Sequence, residues 1–174
     1  PGMPFNQSMT IPLELKLTHT PNGPRLTWTP VDELKILRTN SHYFSGFTLT
    51  SDSPNPLAQL NAELVEIRTE FTPQNSAIAV FTVRGATILY DSSTRKISVN
   101  GHTAEAPLVD NKQSLVIYCD RTGLEIFASR GLTYVPMPFL PQPDNLNLEI
   151  KAAAGKINFS SLEVHQLRSA WITQ

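Results

Sequence analysis

The sequence predicts an all-β domain built as a β-sandwich or a barrel. Apolar residues alternate with polar ones over about a dozen short segments, which is the pattern of half-buried strands. Turn signals rich in Gly, Pro and Asn separate these segments at a spacing of roughly 8 to 12 residues. The chain has 174 residues, 40% of them hydrophobic, without a repeat or a shift in composition. We therefore expect one domain with one core.

The first strands are predicted to form a hairpin. Residues 11–17 alternate apolar and polar side chains, and Leu26 and Trp28 do the same on the returning segment. The turn Pro21-Asn22-Gly23-Pro24 joins them. We expect one face of this first strand to be buried. Pro12 has no amide proton, so the strand should begin at or near a sheet edge.

The middle of the chain continues the strand pattern after one helical patch. Residues 31–38 predict about two helical turns, and residues 43–50 a strand. Residues 65–71 have one apolar and one charged face, whereas residues 77–83 are apolar throughout and predict a strand covered on both sides. A short strand is expected at residues 87–90.

The second half predicts two more hairpins and further strands. Asn100-Gly101 is a type I′ turn signal between residues 96–99 and 102–106. Arg121-Thr122-Gly123 joins strands at residues 115–120 and 124–129, and another strand follows at 132–135. The proline-rich segment 136–143 is predicted to be a loop. The last alternating segments are residues 146–150, 157–159 and 162–164.

Composition excludes several functions. A net charge of -1 without a Lys/Arg-rich run argues against nucleic acid as a partner, and no apolar stretch is long enough for a membrane span. The single cysteine, Cys119, excludes an internal disulfide and a cysteine-based zinc site, and its apolar neighbours predict a buried strand thiol. The four histidines are scattered, so no metal site built on them is expected, and no cofactor is expected either. A structural calcium is the alternative, with oxygens from Asp91, Asp110 and Asp120.

Four motifs in order resemble the C-terminal β-sandwich of glycoside hydrolase family 32, the levanases, inulinases and invertases. The opening Met3-Pro4-Phe5-Asn6-Gln7-Ser8-Met9 is similar to that of bacterial levanase-type members. Met9-Thr10-Ile11-Pro12-Leu13-Glu14-Leu15 resembles Met-Thr-x-Pro-Arg-Glu-Leu, with Leu13 for Arg. Residues 30–38 resemble Pro-Val-x-Glu-Leu-x-x-Leu-Arg, and residues 120–127 resemble Asp-Arg-Thr-Ser-x-Glu-x-Phe, with Gly123 for Ser.

The resemblance implies a two-sheet antiparallel β-sandwich of the concanavalin or lectin-like jelly-roll kind. In this family the chemistry takes place in a preceding β-propeller, whose motifs are Asn-Asp-Pro-Asn-Gly, Arg-Asp-Pro and Glu-Cys. Pro21-Asn22-Gly23 is similar to part of the first motif, but Thr20 stands in place of the nucleophilic Asp, and the other two motifs do not occur. We therefore expect no catalytic residue in this chain.

The resemblance also implies how the domain is used. Residues 1–10 would be the end of the propeller or a linker, and residues 11–174 the C-terminal sandwich of a secreted or periplasmic enzyme, of which this chain is a piece. Its partner would be the catalytic propeller of the same parent chain. Met3, Phe5 and Met9 are the predicted docking residues, because the isolated domain would leave them exposed.

A second function is sugar binding. Some relatives of this sandwich, the family 66 carbohydrate-binding modules, hold terminal fructose in an acidic pocket. Carboxylate and guanidinium groups reach sugar hydroxyls, so Glu66, Asp120, Arg121 and Glu125 are the candidate residues of a fructan (levan or inulin) pocket. The alternative is structural: Arg121 and Glu125 form a surface ion pair, and the Glu66 face is solvated strand surface.

Overall fold

The computed structural model describes residues 9–170, and nearly all of their regular structure is strand. The strands are β1 Leu13–Thr20, β2 Gly23–Pro30, β3 Arg38–Leu49, β4 Val65–Pro73, β5 Ile78–Val83, β6 Ala86–Asp91, β7 Lys96–Val99, β8 His102–Glu105, β9 Gln113–Cys119, β10 Gly123–Ala128, β11 Thr133–Pro138, β12 Leu148–Ala154 and β13 Ile157–Leu167. Two short 3₁₀ helices span Asp32–Leu37 and Ser129–Gly131. No helix in the described part of the chain is long and apolar enough to cross a bilayer.

Two antiparallel sheets form the sandwich, which confirms the predicted fold class. One sheet has six strands in the order β11-β10-β9-β4-β13-β3, and the other has five in the order β12-β5-β6-β7-β8. Phe71 on the first sheet lies 6.1 Å from Phe81 and 5.8 Å from Tyr90 on the second, between ring centroids. All three side chains are fully buried, so the core is the layer between the sheets.

β13 spans residues 157–159 and 162–164, which the sequence pattern predicted as two separate segments. Phe159 and Leu162 are both buried although they are three residues apart. The register with β4 shifts between Phe159 and Ser161, where Ser161 lies opposite Glu70. This bulge adds a residue to one strand, and so it returns the next apolar side chains to the core face.

The prediction of a loop throughout residues 136–143 was wrong at its start. β11 continues to Pro138 and pairs with β10 through Pro136 and Pro138. Proline cannot donate to a ladder, but β11 is an edge strand of the six-stranded sheet, where one side has no partner strand.

Two local predictions agree with the structure. β7 and β8 form a hairpin, and Asn100 and Gly101 adopt φ angles of 47° and 81°, as a type I′ turn requires. The predicted helical patch is present as a single 3₁₀ helix, Asp32–Leu37.

The hairpin of β1 and β2 forms as predicted, but it stands apart as a separate two-stranded sheet. The prediction that one face of its first strand is buried was wrong. Leu15, Leu17 and Leu26 are 51%, 75% and 42% exposed. Alternation shows that the strand has an apolar face, but it does not show how much of that face the rest of the fold covers.

Candidate functional site

Two of the predicted sugar-binding carboxylates lie in one row on the outer face of the six-stranded sheet. His165, Glu66, Tyr118 and Glu125 lie opposite one another on β13, β4, β9 and β10. Side chains of such a row point to the same face of the sheet. The row therefore brings Glu66 near Glu125, with Tyr118 between them.

Glu66 is fully buried, and its carboxylate is hydrogen-bonded to two arginines. It accepts hydrogen bonds from Arg38 Nε at 2.7 Å, Arg38 Nη2 at 2.7 Å and Arg68 Nη1 at 2.8 Å. Burial opposes ionisation of Glu66, but the hydrogen bonds from Arg38 and Arg68 outweigh it and hold the pKa below its ordinary value. The outer face here is not solvated strand surface, and Glu66 is an ionised structural group.

Glu125 is also buried, and it fastens two other segments to β10. One carboxylate oxygen accepts from the backbone N–H of Ile11 at 2.7 Å, and the other accepts from the hydroxyl of Tyr134. Burial raises the pKa of Glu125, against the opposing effect of these two hydrogen bonds. Glu125 thus ties the entry of the hairpin to the sandwich.

Asp120 and Arg121 lie in the tight connection between β9 and β10. Asp120 Oδ1 accepts from the backbone N–H groups of Thr122 at 2.6 Å and Gly123 at 2.7 Å, which is the aspartate turn that this sequence favours. Arg121 donates to Glu63 at 2.7 Å. The alternative of an Arg121–Glu125 ion pair was therefore wrong, because the arginine pairs with Glu63.

Three of the four predicted residues line one cavity of about 420 Å³. Asp120, Arg121 and Glu125 are among its polar lining residues, together with Tyr118. The apolar lining residues include Ile11, Pro12, Leu34, Leu37, Leu64 and Leu167. Glu66 does not line the cavity. Its mixed lining can hold a small ligand with polar and apolar parts, although both carboxylates already accept hydrogen bonds from the protein.

Sequence reasoning missed Arg84, which organises the loops around this cavity. Its side chain is only 2% exposed and donates to the carbonyl oxygens of Glu63 at 2.8 Å, Asn145 at 3.0 Å, Asp120 at 3.3 Å and Gln142 at 3.4 Å. Its φ of 51° is in the left-handed region, next to Gly85. The Arg-Gly pair after an apolar strand was the available signal, but it indicated only a turn.

The remaining predicted residues are located as follows. Met3 and Phe5 lie outside the described residues, and Met9 is 97% exposed. Cys119 is buried in β9, as predicted, and burial raises its pKa to about 12. Within residues 9–170, no group of three or more His, Cys, Asp or Glu side chains could hold a metal ion.

Similarity to known proteins is extensive along the chain. The family model described as "Glycosyl hydrolases family 32 C terminal" matches residues 33–166. The levanase of Bacillus subtilis is 31% identical, over 99% of this chain and 29% of its own length. The chain thus spans less than a third of that curated relative.

Solved structures show the same fold. An exo-inulinase from Aspergillus awamori superposes with a TM-score of 0.80 at 16% identity, covering 98% of this chain and 38% of its own. A fructofuranosidase from Schwanniomyces occidentalis gives a TM-score of 0.69 at 12% identity, covering 90% and 40%. With the family model matching most of its length, this chain belongs to the C-terminal domain family of the family 32 glycosyl hydrolases.

Proposed function

We propose that this domain is the non-catalytic C-terminal sandwich of a fructan- or sucrose-cleaving enzyme and that it stabilises the enzyme by docking on the catalytic propeller. Relatives more than three times its length support a missing partner domain. Fructan polymers cannot cross a membrane, so we also infer that the parent enzyme is secreted or periplasmic. Residues 1–10 would then form the connection to the propeller.

The observation that carries the proposal is the exposed apolar face of the β1–β2 hairpin. Leu17 on β1 lies directly opposite Leu26 on β2, and Leu15 lies opposite Trp28, so these side chains share a face. Trp28 packs on Tyr134 of the sandwich, whereas the three leucines are exposed. Fully burying one leucine side chain contributes about 1.5 to 3 kcal/mol. A partner that covers this face would gain that stabilisation, whereas residues 9–170 by themselves leave the leucines exposed to water.

The hairpin is held in place on the sandwich, which suits a docking role. Trp28 stacks on Tyr134 with a centroid distance of 5.8 Å, and Tyr134 stacks on Phe127 at 4.7 Å. Gly131 packs so closely that a Cβ there would lie 2.7 Å from the carbonyl oxygen of Trp28. With the Glu125–Ile11 hydrogen bond, these contacts would present the leucines in a fixed orientation.

Docking is tested by mixing this protein with the separately produced propeller of the parent enzyme and measuring the mass of the product by light scattering. We expect a one-to-one complex that makes the propeller more resistant to heat. Leu17→Ser should weaken the complex, whereas Leu140→Ser should not, because Leu140 is equally exposed but lies in the loop after β11. Absence of a complex with the unmodified protein would refute the docking role.

A second candidate function is fructan binding in the cavity beside Asp120, Arg121 and Glu125. The observation in its favour is that one cavity collects three of the four predicted polar groups. Calorimetric titration with levan, inulin and fructose tests it, with Arg121→Ala as the variant. We choose Arg121 because Glu125 also fixes Ile11, so its replacement would alter the fold as well as the cavity.

A further inference from the structure

The outer face of the six-stranded sheet has a second group of polar side chains at the end opposite β11. Tyr43 on β3, Glu163 on β13 and Arg68 on β4 lie directly opposite one another across three neighbouring strands. Neighbouring strands are about 4.8 Å apart, so the row spans roughly 10 Å, comparable to one or two sugar rings. The hairpin contacts the sheet at β11, which is the edge strand at the other end.

The row combines an aromatic ring with a hydrogen-bond acceptor and a hydrogen-bond donor. Tyr43 is 69% exposed, and the side chains of Glu163 and Arg68 are each 36% exposed. An aromatic face packs on the C–H groups of a ligand, a carboxylate accepts hydrogen bonds, and a guanidinium donates them. The charges of Glu163 and Arg68 cancel, so the row favours an uncharged ligand rich in hydroxyl groups.

The carboxylate of Glu163 is oriented by a histidine buried beneath the surface. His165 is fully buried, with Nε2 at 3.1 Å from Glu163 Oε2 and Nδ1 at 2.7 Å from Ser41 Oγ. An ionised carboxylate only accepts, so Nε2 donates to Glu163, and Nδ1 accepts the hydroxyl proton of Ser41. Burial lowers the pKa of His165, which keeps the ring neutral in this arrangement at neutral pH.

The same histidine also positions the tyrosine. The rings of Tyr43 and His165 meet edge to face, 5.8 Å apart at 75°. Among residues 9–170, Oε1 of Glu163 and the Nε and Nη2 groups of Arg68 have no hydrogen-bond partner, while Arg68 Nη1 is fixed on Glu66 at 2.8 Å. The row therefore has supported side chains with unused donors and acceptors, as a preorganised binding site requires.

We propose that Tyr43, Glu163 and Arg68 form a binding site for an uncharged saccharide, whose ring packs on Tyr43 while its hydroxyls bond to Glu163 and Arg68. All three side chains are at least partly exposed, which gives a saccharide chain access to the row. Choosing fructans as the saccharide rests on the proposed function, because that choice comes from relatives named levanase and exo-inulinase.

Calorimetric titration of the 174-residue protein with levan, inulin and a short oligofructoside tests the site, with dextran as a different polysaccharide. We expect Tyr43→Ala to weaken binding about tenfold or more, because the saccharide loses the aromatic ring on which it packs. A factor of ten in affinity corresponds to about 1.4 kcal/mol. Tyr43→Phe keeps the ring and should bind within about twofold of the unmodified protein. Glu163→Gln should also lose about tenfold, because it removes charged hydrogen bonds.

The matched control is Glu105→Gln, which changes an exposed carboxylate on the other sheet and should leave affinity unchanged. Circular dichroism and thermal midpoints establish that each variant is folded. Unaltered affinity in Tyr43→Ala and Glu163→Gln would overturn the inference, as would the absence of saturable heat with every sugar. Loss of binding in Arg121→Ala but not in Tyr43→Ala would place the sugar in the cavity and would equally overturn it. The docking experiment contains no sugar. If the domain does not dock on the propeller, the outcome of the sugar titration is therefore unaffected.

Discussion

Replacing Glu66 by glutamine is the sharpest test of how the six-stranded sheet tolerates buried charge. The variant keeps the shape of the side chain but leaves Arg38 and Arg68 without their anionic partner. Breaking a buried ion pair costs about 3 to 5 kcal/mol. Arg38 and Arg68 retain 18% and 36% side-chain exposure and can regain some hydration, so we expect a loss of about 2 to 4 kcal/mol.

Urea unfolding followed by circular dichroism measures this loss, provided that the slope of the transition does not change. The thermal midpoint should fall by roughly 2 to 4 °C for each kcal/mol in a domain of this size. Glu70→Gln is the matched control, since Glu70 lies four residues further along β4 on the same face and pairs with the more exposed Lys112. It should cost less than about 1 kcal/mol.

The pH dependence of the free energy of unfolding is a second measurement of what the ionised Glu66 contributes. The folded pKa of Glu66 lies below its ordinary value of 4.5, so its stabilisation is complete above that pH and is lost as the pH falls through the folded pKa. Glutamine does not titrate, and the stability gap between the two proteins should therefore close in acid. A gap that is below about 1 kcal/mol at neutral pH, or that is constant with pH, would refute the reasoning.

Three further substitutions probe the core, the cavity loops and the hairpin. Tyr90→Phe should be neutral or stabilise by up to about 1 kcal/mol in urea unfolding, because the buried hydroxyl of Tyr90 has no hydrogen-bond partner among the described residues; a clear loss would contradict this. Arg84→Met should destabilise the fold by about 3 kcal/mol or more, because it leaves the carbonyl oxygens that now accept from the guanidinium without a donor. Unchanged stability would show that water molecules take over those hydrogen bonds. Gly131→Ala should loosen the hairpin, because φ is +87° and the new Cβ would meet the Trp28 carbonyl at 2.7 Å; hydrogen exchange of β2 amides should then rise, and unchanged protection would count against the contact.

The candidate sites were only partly predictable. The sequence named Asp120, Arg121 and Glu125 through a motif, and the fold does bring them to one cavity. It could not show that Arg121 pairs with Glu63, because that contact spans 58 residues. Tyr43, Glu163 and Arg68 carry no local signal, since they meet only through the register of three strands that are distant in sequence.

By itself, the sequence determined the strand periodicity, the Asn100-Gly101 hairpin, the buried thiol of Cys119 and the family. These depend on neighbouring residues, whose alternation and turn chemistry are read directly along the chain. Only the tertiary structure decided that the leucines of the β1–β2 hairpin face water and that Glu66 and His165 are buried. Whether a side chain is covered depends on which strands become neighbours, and that is set by long-range pairing rather than by the pattern within one strand.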